Sequence, residues 1–305
     1  MKLHKIVFTL ILLISPILFY AQAESVFNGI KLNESMDEVT KKLSEISITI
    51  DTISIDVPSF PLSKQKEEHL ICTEVKTDNG MIGKVVFTFA DNSLKYIEAR
   101  GNVREVFTST RTDTARVYMD YDIYIAERLF LKRNKDVAWI LTEEGMHTNL
   151  FAWENPYLNS SYRDTLTPDD SNQIPAYLTM GATMDELKPL LEAHSDFTNT
   201  EKLDGSDPNA QIQINCFGID YLGFPRKVEA RFGDNRLNVV WILTGKGEED
   251  RIRKALIKQY GSPIFTNDDW EIFNNWQVGL RKDKTEVFLM EKELGLEYKT
   301  SFFKQ

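Results

Sequence analysis

Two carboxylates separated by one aromatic residue are the first feature of this sequence that could support chemistry. Asp120 and Asp122 flank Tyr121, and alternation along a strand would place both carboxylates on one face, with Tyr118 and Tyr124 nearby. Paired carboxylates beside aromatic rings are found where enzymes cleave sugars. Solvent-facing strand positions carry the same residue types, and we interpret this pair as an exposed strand face.

A second group of aromatic residues lies just before a polar segment of the chain. Phe151, Trp153 and Tyr157 occur within seven positions. We take them, together with Tyr118 and Tyr121, as the candidate ligand-binding residues. The alternative interpretation is that these rings seal the edge of a folded unit.

Other residue patterns that carry catalysis or cofactors are missing from the sequence. Beyond the first 23 residues the histidines are His69, His147 and His194, and no two of them have the i, i+4 spacing of a zinc helix. Neither a Gly-x-Ser-x-Gly nor a Gly-x-Gly-x-x-Gly motif occurs. We therefore predict no catalytic residues, no metal site and no cofactor, which favours a non-enzymatic function.

The chain contains two cysteines, Cys72 and Cys216. In an exported protein they could form a disulfide that clasps two units together. The alternative is two buried thiols at equivalent core positions, since each cysteine alternates with aliphatic residues on one strand face.

The first residues predict export from the cytoplasm. A basic start at Lys2 and Lys5 precedes the apolar run Ile6–Tyr20 and the small-x-small sequence of residues 21–23. This is the layout of a cleaved secretory signal, and the run is shorter than the roughly 20 residues that a membrane span needs. We predict a signal peptide at 1–23, a periplasmic or secreted bacterial protein, and no stable membrane span after cleavage.

The net charge argues against nucleic acid as a partner. The full chain has a formal charge of −10. Removal of residues 1–23 takes away two lysines and no acid, so the mature chain carries −12. Nucleic acids and anionic membrane surfaces bind clustered Lys and Arg. We expect a partner that is a protein or another envelope ligand.

An internal repeat organises the rest of the chain. Met36-Asp37-Glu38-Val39 returns as Met184-Asp185-Glu186-Leu187, 148 positions later. Cys72 then corresponds to Cys216, and the turn Asp91-Asn92 corresponds to Asp234-Asn235. An ordered series of this length indicates duplicated domains. We predict one unit at 28–157, a linker at 158–175 and a second unit at 176–305.

Each unit has the pattern of a helix, antiparallel strands, a second helix and a closing hairpin. Ser35 and Thr183 are typical helix N-caps, and Pro189 predicts that the second copy's helix starts late or kinks. The second helix is clear at residues 248–260 but is expected to be shortened or lost in the first copy. The fold class is therefore α+β: a tandem duplication of a two-layer module with helices packed on one face of an antiparallel sheet.

The segment MGATMDEL, Met180–Leu187, resembles the start of a family of bacterial envelope modules. These are the β-lactamase-inhibitor-protein-like domains and the small lipoprotein of outer-membrane barrel assembly. The resemblance implies two-layer α/β modules that work by binding other proteins. The first copy departs from it, since Asn33 and Ser35 stand where the family has Gly and Thr.

Two functions remain open from the sequence. The leading hypothesis is a non-enzymatic extracytoplasmic binding or scaffold protein that acts through its sheet faces or the cleft between modules. The alternative is a hydrolase whose active site is assembled between the two modules. Converging titratable side chains in such a cleft would favour the hydrolase, and an exposed apolar patch would favour binding.

Overall fold

The chain forms two antiparallel sheets of eight strands each. A computed structural model describes residues 26–159 and 173–303. The predicted signal peptide at 1–23 and most of the predicted linker lie outside the described residues. The first sheet contains β1 (Thr49–Ile55), β2 (Glu67–Thr77), β3 (Gly80–Ala90), β4 (Ser93–Arg100), β5 (Arg116–Tyr118), β6 (Tyr121–Tyr124), β7 (Leu129–Lys132) and β8 (Val137–Leu141).

The second sheet repeats the first. It contains β9 (Phe197–Lys202), β10 (Ile212–Tyr221), β11 (Phe224–Gly233), β12 (Arg236–Leu243), β13 (Phe265–Thr266), β14 (Trp270–Phe273), β15 (Val278–Arg281) and β16 (Glu286–Met290). Its strand order is β9-β10-β11-β12-β16-β15-β14-β13, and that of the first sheet is β1-β2-β3-β4-β8-β7-β6-β5. Identical order and direction are consistent with a duplicated α+β module. We call each sheet with its helices the first or second module.

The helices occupy corresponding places in the two modules. They are α1 (Met36–Leu43), α2 (Val103–Thr108), α3 (Glu143–His147), α4 (Met184–Ala193), α5 (Glu249–Tyr260) and α6 (Lys292–Ser301). The predicted shortening in the first copy is confirmed, because α2 has 6 residues and α5 has 12. β-Branched and threonine-rich sequence follows α2, and such residues lower helix propensity.

The first helix and the hairpin turn of each module are specified by matching local sequence signals. Ser35 and Thr183 each form a capping box with the glutamate three residues later. The late start predicted from Pro189 is wrong, since α4 begins at Met184 with Pro189 inside it. Asp91-Asn92 and Asp234-Asn235 both adopt positive φ, as the predicted two-residue hairpin turns require.

Each module has its own hydrophobic core. The first core joins Val39 and Leu43 of α1 to alternate residues of the first sheet, including Cys72. The second joins Leu187 and Leu191 of α4 to the second sheet. Alternation along the strands sends these side chains to one face of each sheet.

The two modules also share a buried apolar cluster, so they are packed against each other. Phe151 and Trp153 of the first module lie in it together with Phe217 and Phe224 of the second. The ring centres of Trp153 and Phe224 are 5.1 Å apart. Phe151 and Trp153, two of the three aromatic residues before the linker, therefore lie in the contact between modules.

A loop of the first module, residues 58–63, forms the polar part of this contact. Arg251 of α5 donates hydrogen bonds to the carbonyl oxygens of Pro58, Phe60 and Ser63, at 2.5, 3.1 and 3.2 Å. The backbone N–H of Gly247 donates to the Pro61 oxygen at 3.1 Å. Because these bonds end on backbone atoms, they fix the position of one module relative to the other.

The two cysteines are buried thiols and do not form the disulfide that was the other possibility considered from the sequence. Cys72 and Cys216 are both free and fully buried, one in each module core. The disulfide clasp does not form, because each thiol points into the interior of its own module.

Both thiols should be inert in the folded protein. Burial raises the pKa of each to about 12, so at about pH 8 only about one thiol in 10⁴ is the reactive thiolate. We expect 5,5′-dithiobis(2-nitrobenzoic acid) to label neither cysteine over hours in native buffer and both within minutes in guanidinium chloride. Absence of free thiols in denaturant would instead mean that a bridge had formed.

Candidate functional site

A cleft between the two modules is the candidate functional site. Its volume is about 700 Å³, which is within the roughly 300–1,000 Å³ range of ligand pockets. Both modules line it, and its wall combines four aromatic rings with acidic and basic side chains. Ligand sites in proteins commonly combine an apolar surface with a few polar groups in this way.

Lys132 and Tyr121 form the floor of the cleft. They are direct cross-strand partners on β7 and β6, so the sheet register brings them together. The Lys132 ammonium donates to the Tyr121 hydroxyl at 3.0 Å and lies 4.7 Å from the centre of the Phe197 ring. Burial lowers the pKa of Lys132 below its usual range, although the Asp120 carboxylate opposes this effect.

Acidic side chains surround the floor. Asp120 and Glu154 come from the first module, and Asp196 and Asp220 come from the second. Glu154 is paired with Lys135 at 2.6 Å. Asp120 lies in the turn between β5 and β6, where Met119 adopts a positive φ. Acidic groups from distant parts of the chain therefore meet at one opening.

A buried polar network holds the segment that carries Trp153 and Glu154. The Trp153 carbonyl oxygen accepts hydrogen bonds from the Tyr96 hydroxyl at 2.9 Å and the Trp139 indole at 3.0 Å. The Asn155 N–H donates to Glu98 at 2.6 Å. Since these groups are buried, the segment is fixed to the sheet behind the cleft wall.

The same segment covers a second buried group of polar side chains. His69 Nε2 lies 2.8 Å from Glu67 Oε1, and its Nδ1 lies 3.0 Å from the Thr88 hydroxyl. Asn155 Nδ2 donates to the same hydroxyl at 3.2 Å. None of these four side chains lines the cleft, and we assign the group a structural role.

Glu67 should make the protein sensitive to acid. Burial raises its pKa, but the hydrogen bond and charge of His69, with the backbone N–H groups of Phe60 and Ser59, hold the pKa below its ordinary value of 4.5. A carboxylate with a lowered folded pKa stabilises the fold above its unfolded pKa, and this contribution is lost as pH falls through the folded pKa. Glu67→Gln should flatten the pH dependence of the unfolding free energy below about pH 5.

Urea unfolding at about pH 7, 5, 4 and 3 measures this effect. Glu105→Gln, at an exposed position on α2, is the matched control and should keep the wild-type pH profile. A Glu67→Gln profile with the same slope as wild type would contradict the assignment.

The structure places the five predicted ligand-binding residues at different sites. Tyr121 and Trp153 line the cleft. Phe151 lies behind the wall, stacked on Phe130 with ring centres 4.6 Å apart, and Tyr118 packs edge-on against Phe151. Tyr157 contacts His69 instead. Phe151, Tyr118 and Tyr157 therefore do not line the cleft.

The predicted carboxylate pair is separated in the structure. Asp122 is on β6 and forms an ion pair with Arg104 at 2.9 Å, whereas Asp120 lies in the preceding turn and lines the cleft. Sequence analysis did not find Lys132, Asp196 or Phe197 as cleft residues. Of these three residues, only Lys132 could have been predicted, because the β6–β7 hairpin pairs it with Tyr121.

A smaller cavity of about 440 Å³ also lies between the modules. Its charged residues are already engaged with one another. Lys227 and Arg231 both pair with Glu229, and Arg281 pairs with Glu286. His147 Nε2 lies 3.1 Å from Glu286 but lacks hydrogen-bond geometry. We therefore regard this cavity as part of the module contact.

Metal-binding and membrane-spanning features are not found in the part of the chain that the structure describes. No group of three or more His, Cys, Asp or Glu side chains there could hold a metal ion. No helix within residues 26–159 and 173–303 has the length and apolar character needed to cross a bilayer.

The fold and the cleft define a two-module antiparallel α+β protein with a ligand-sized opening between its modules. No protein-family model matches this chain, and no curated protein or solved structure matches it.

Proposed function

We propose that this protein is a non-enzymatic extracytoplasmic binding protein whose ligand occupies the cleft between the modules. The observation that carries the proposal is the cavity of about 700 Å³ with aromatic and charged residues from both modules. A signal-like N-terminus supports the extracytoplasmic location, and the resemblance of residues 180–187 to envelope modules that bind other proteins is in keeping with a binding role. We also infer that α1 and α2 cover one face of the first sheet and that α4 and α5 cover the corresponding face of the second, whereas α6 lies on the opposite face.

A screen for cleft ligands tests the proposal. Ligand-observed NMR with a fragment library would identify binders of the mature protein, residues 24–305. Ala152 lines the cleft, and Ala152→Trp should fill it and abolish binding of the hits. Ala193→Trp, at an exposed position at the end of α4, adds the same side chain away from the cleft and should leave binding unchanged.

Folding is checked by thermal unfolding of each variant. If Ala152→Trp fails to fold, Asn134→Trp, at an exposed position on the same wall, takes its place. Hits that bind the filled variant as well as the wild type, or a screen without hits, would overturn the cleft as a binding site.

A hydrolase is the second candidate, because one observation favours it. The acidic side chains Asp120, Glu154 and Asp196 converge with Lys132 at the cleft, and acid–base catalysis needs such convergence. Turnover of a bound ligand, monitored by mass spectrometry over hours and abolished by Asp120→Asn or Asp196→Asn, would support the enzyme over the binding protein.

A further inference from the structure

Three charged side chains of the cleft have hydrogen-bonding capacity that the protein does not use. An ammonium has three N–H donors, and among the described residues Lys132 donates a hydrogen bond to the Tyr121 hydroxyl alone. In residues 26–159 and 173–303 no carboxylate lies within ion-pair distance of Lys132. The carboxylates of Asp120 and Asp196 likewise accept no hydrogen bond from the described residues. Asp120 and Asp196 are exposed, so a ligand in the cleft can donate hydrogen bonds to them and can accept from Lys132.

Aromatic rings provide the apolar part of the surface. Trp153 is 9% exposed and lines the cleft from the first module. Phe197 lines it from the second module and is stacked on Phe217, with ring centres 4.5 Å apart. Rings that are held by such packing offer rigid apolar surface at little entropic cost.

The charges of the cleft argue against an ionic ligand. Four acidic residues and two lysines line it, so a phosphate or another anion would meet a net negative opening. A cation would meet the Lys132 ammonium, which already lies 4.2 Å from the centre of the Tyr121 ring. A neutral ligand avoids both conflicts.

We propose that the cleft binds a carbohydrate built of neutral pyranose units. This proposal rests on the proposed function and specifies the ligand class. A hydroxyl group both donates and accepts hydrogen bonds, so one sugar ring can accept from Lys132 and donate to Asp120 and Asp196. C–H groups of the same ring contact the part of Trp153 that lines the cleft.

Isothermal titration calorimetry with defined hexasaccharides tests the proposal. The panel contains glucose, N-acetylglucosamine, galactose, mannose and xylose oligomers, with inorganic phosphate and spermine as the anionic and cationic probes. We expect at least one hexasaccharide to bind and neither ionic probe to bind. The filled variant Ala152→Trp should bind none of them.

Substitutions of the unpaired groups show whether they contact the sugar. Asp196→Asn and Lys132→Met should each weaken binding about tenfold, because a hydrogen bond to a charged group is lost. Trp153→Phe keeps a ring in the core but reduces its surface and should weaken binding by a smaller factor. Asp268→Asn, an exposed aspartate outside the cleft, is the matched control and should bind as wild type.

The outcomes separate this proposal from the more general one. If no hexasaccharide binds while fragments still bind in a manner that Ala152→Trp abolishes, the carbohydrate assignment is wrong and the cleft remains a binding site. If neither sugars nor fragments bind, both proposals fail. Sugar binding that survives Asp196→Asn and Lys132→Met unchanged would also overturn the assignment.

Discussion

Arg226→Met should lower the free energy of unfolding by about 3–5 kcal/mol, a large effect for one substitution. Arg226 and Glu248 form a two-bonded ion pair at 2.7 and 2.6 Å, and both are almost fully buried. The Arg226 Nε also donates to the backbone carbonyl oxygen of Tyr221 at 3.1 Å. Removal of the guanidinium leaves the Glu248 carboxylate buried without its main partner, which is costly.

Urea unfolding followed by circular dichroism measures the effect. Arg104→Met is the matched control, since Arg104 pairs with Asp122 at the surface and should change stability by less than about 1 kcal/mol. Adding Glu248→Gln to Arg226→Met should recover part of the loss, because the unpaired charge is removed. Equal losses in Arg226→Met and Arg104→Met would refute the argument.

Gly247→Ala should weaken the packing of the modules against each other. A Cβ atom at Gly247 would lie 2.4 Å from the Leu62 carbonyl carbon and 2.6 Å from the Ser63 nitrogen. Both atoms belong to backbone, so the clash is relieved only if the two loops separate. Overpacking of this kind costs about 1–3 kcal/mol or more, and separation would also widen the cleft.

Two measurements report on this variant. Small-angle X-ray scattering should show a larger radius of gyration, and urea unfolding should show reduced stability. Gly83→Ala serves as the control, because its Cβ would approach no atom closer than 3.4 Å. An unchanged radius of gyration together with wild-type stability in Gly247→Ala would show that the loop contact does not hold the modules together.

The parts of the fold that could be predicted depend on local sequence. Ser35 with Glu38 and Thr183 with Glu186 form capping boxes within single turns of chain. The Asp234-Asn235 turn likewise follows from the tolerance of these residues for positive φ. Repetition of such local signals was sufficient to predict the duplicated α+β arrangement.

The cleft could not be predicted in the same way. Lys132 and Phe197 approach each other only because the modules dock, and docking depends on Arg251 reaching backbone carbonyl groups 188 to 193 positions earlier. Backbone acceptors leave no pattern in the side-chain sequence. Aromatic residues are common in ligand sites, and this reasoning selected Tyr121 and Trp153, which line the cleft, as well as Tyr157, which contacts His69 instead.

Helix α6 distinguishes one sheet face of the second module from its counterpart in the first. The face of the first sheet that carries Tyr96 and Trp139 belongs to the cluster shared with Phe217 and Phe224 of the second module. The corresponding face of the second sheet packs instead on α6, through Leu294 and the following Phe303. When repeated units contact one another through unlike surfaces, further units can in principle be added in the same way. Here α6 already covers that face of the second sheet, so another unit could not dock on it in the same way.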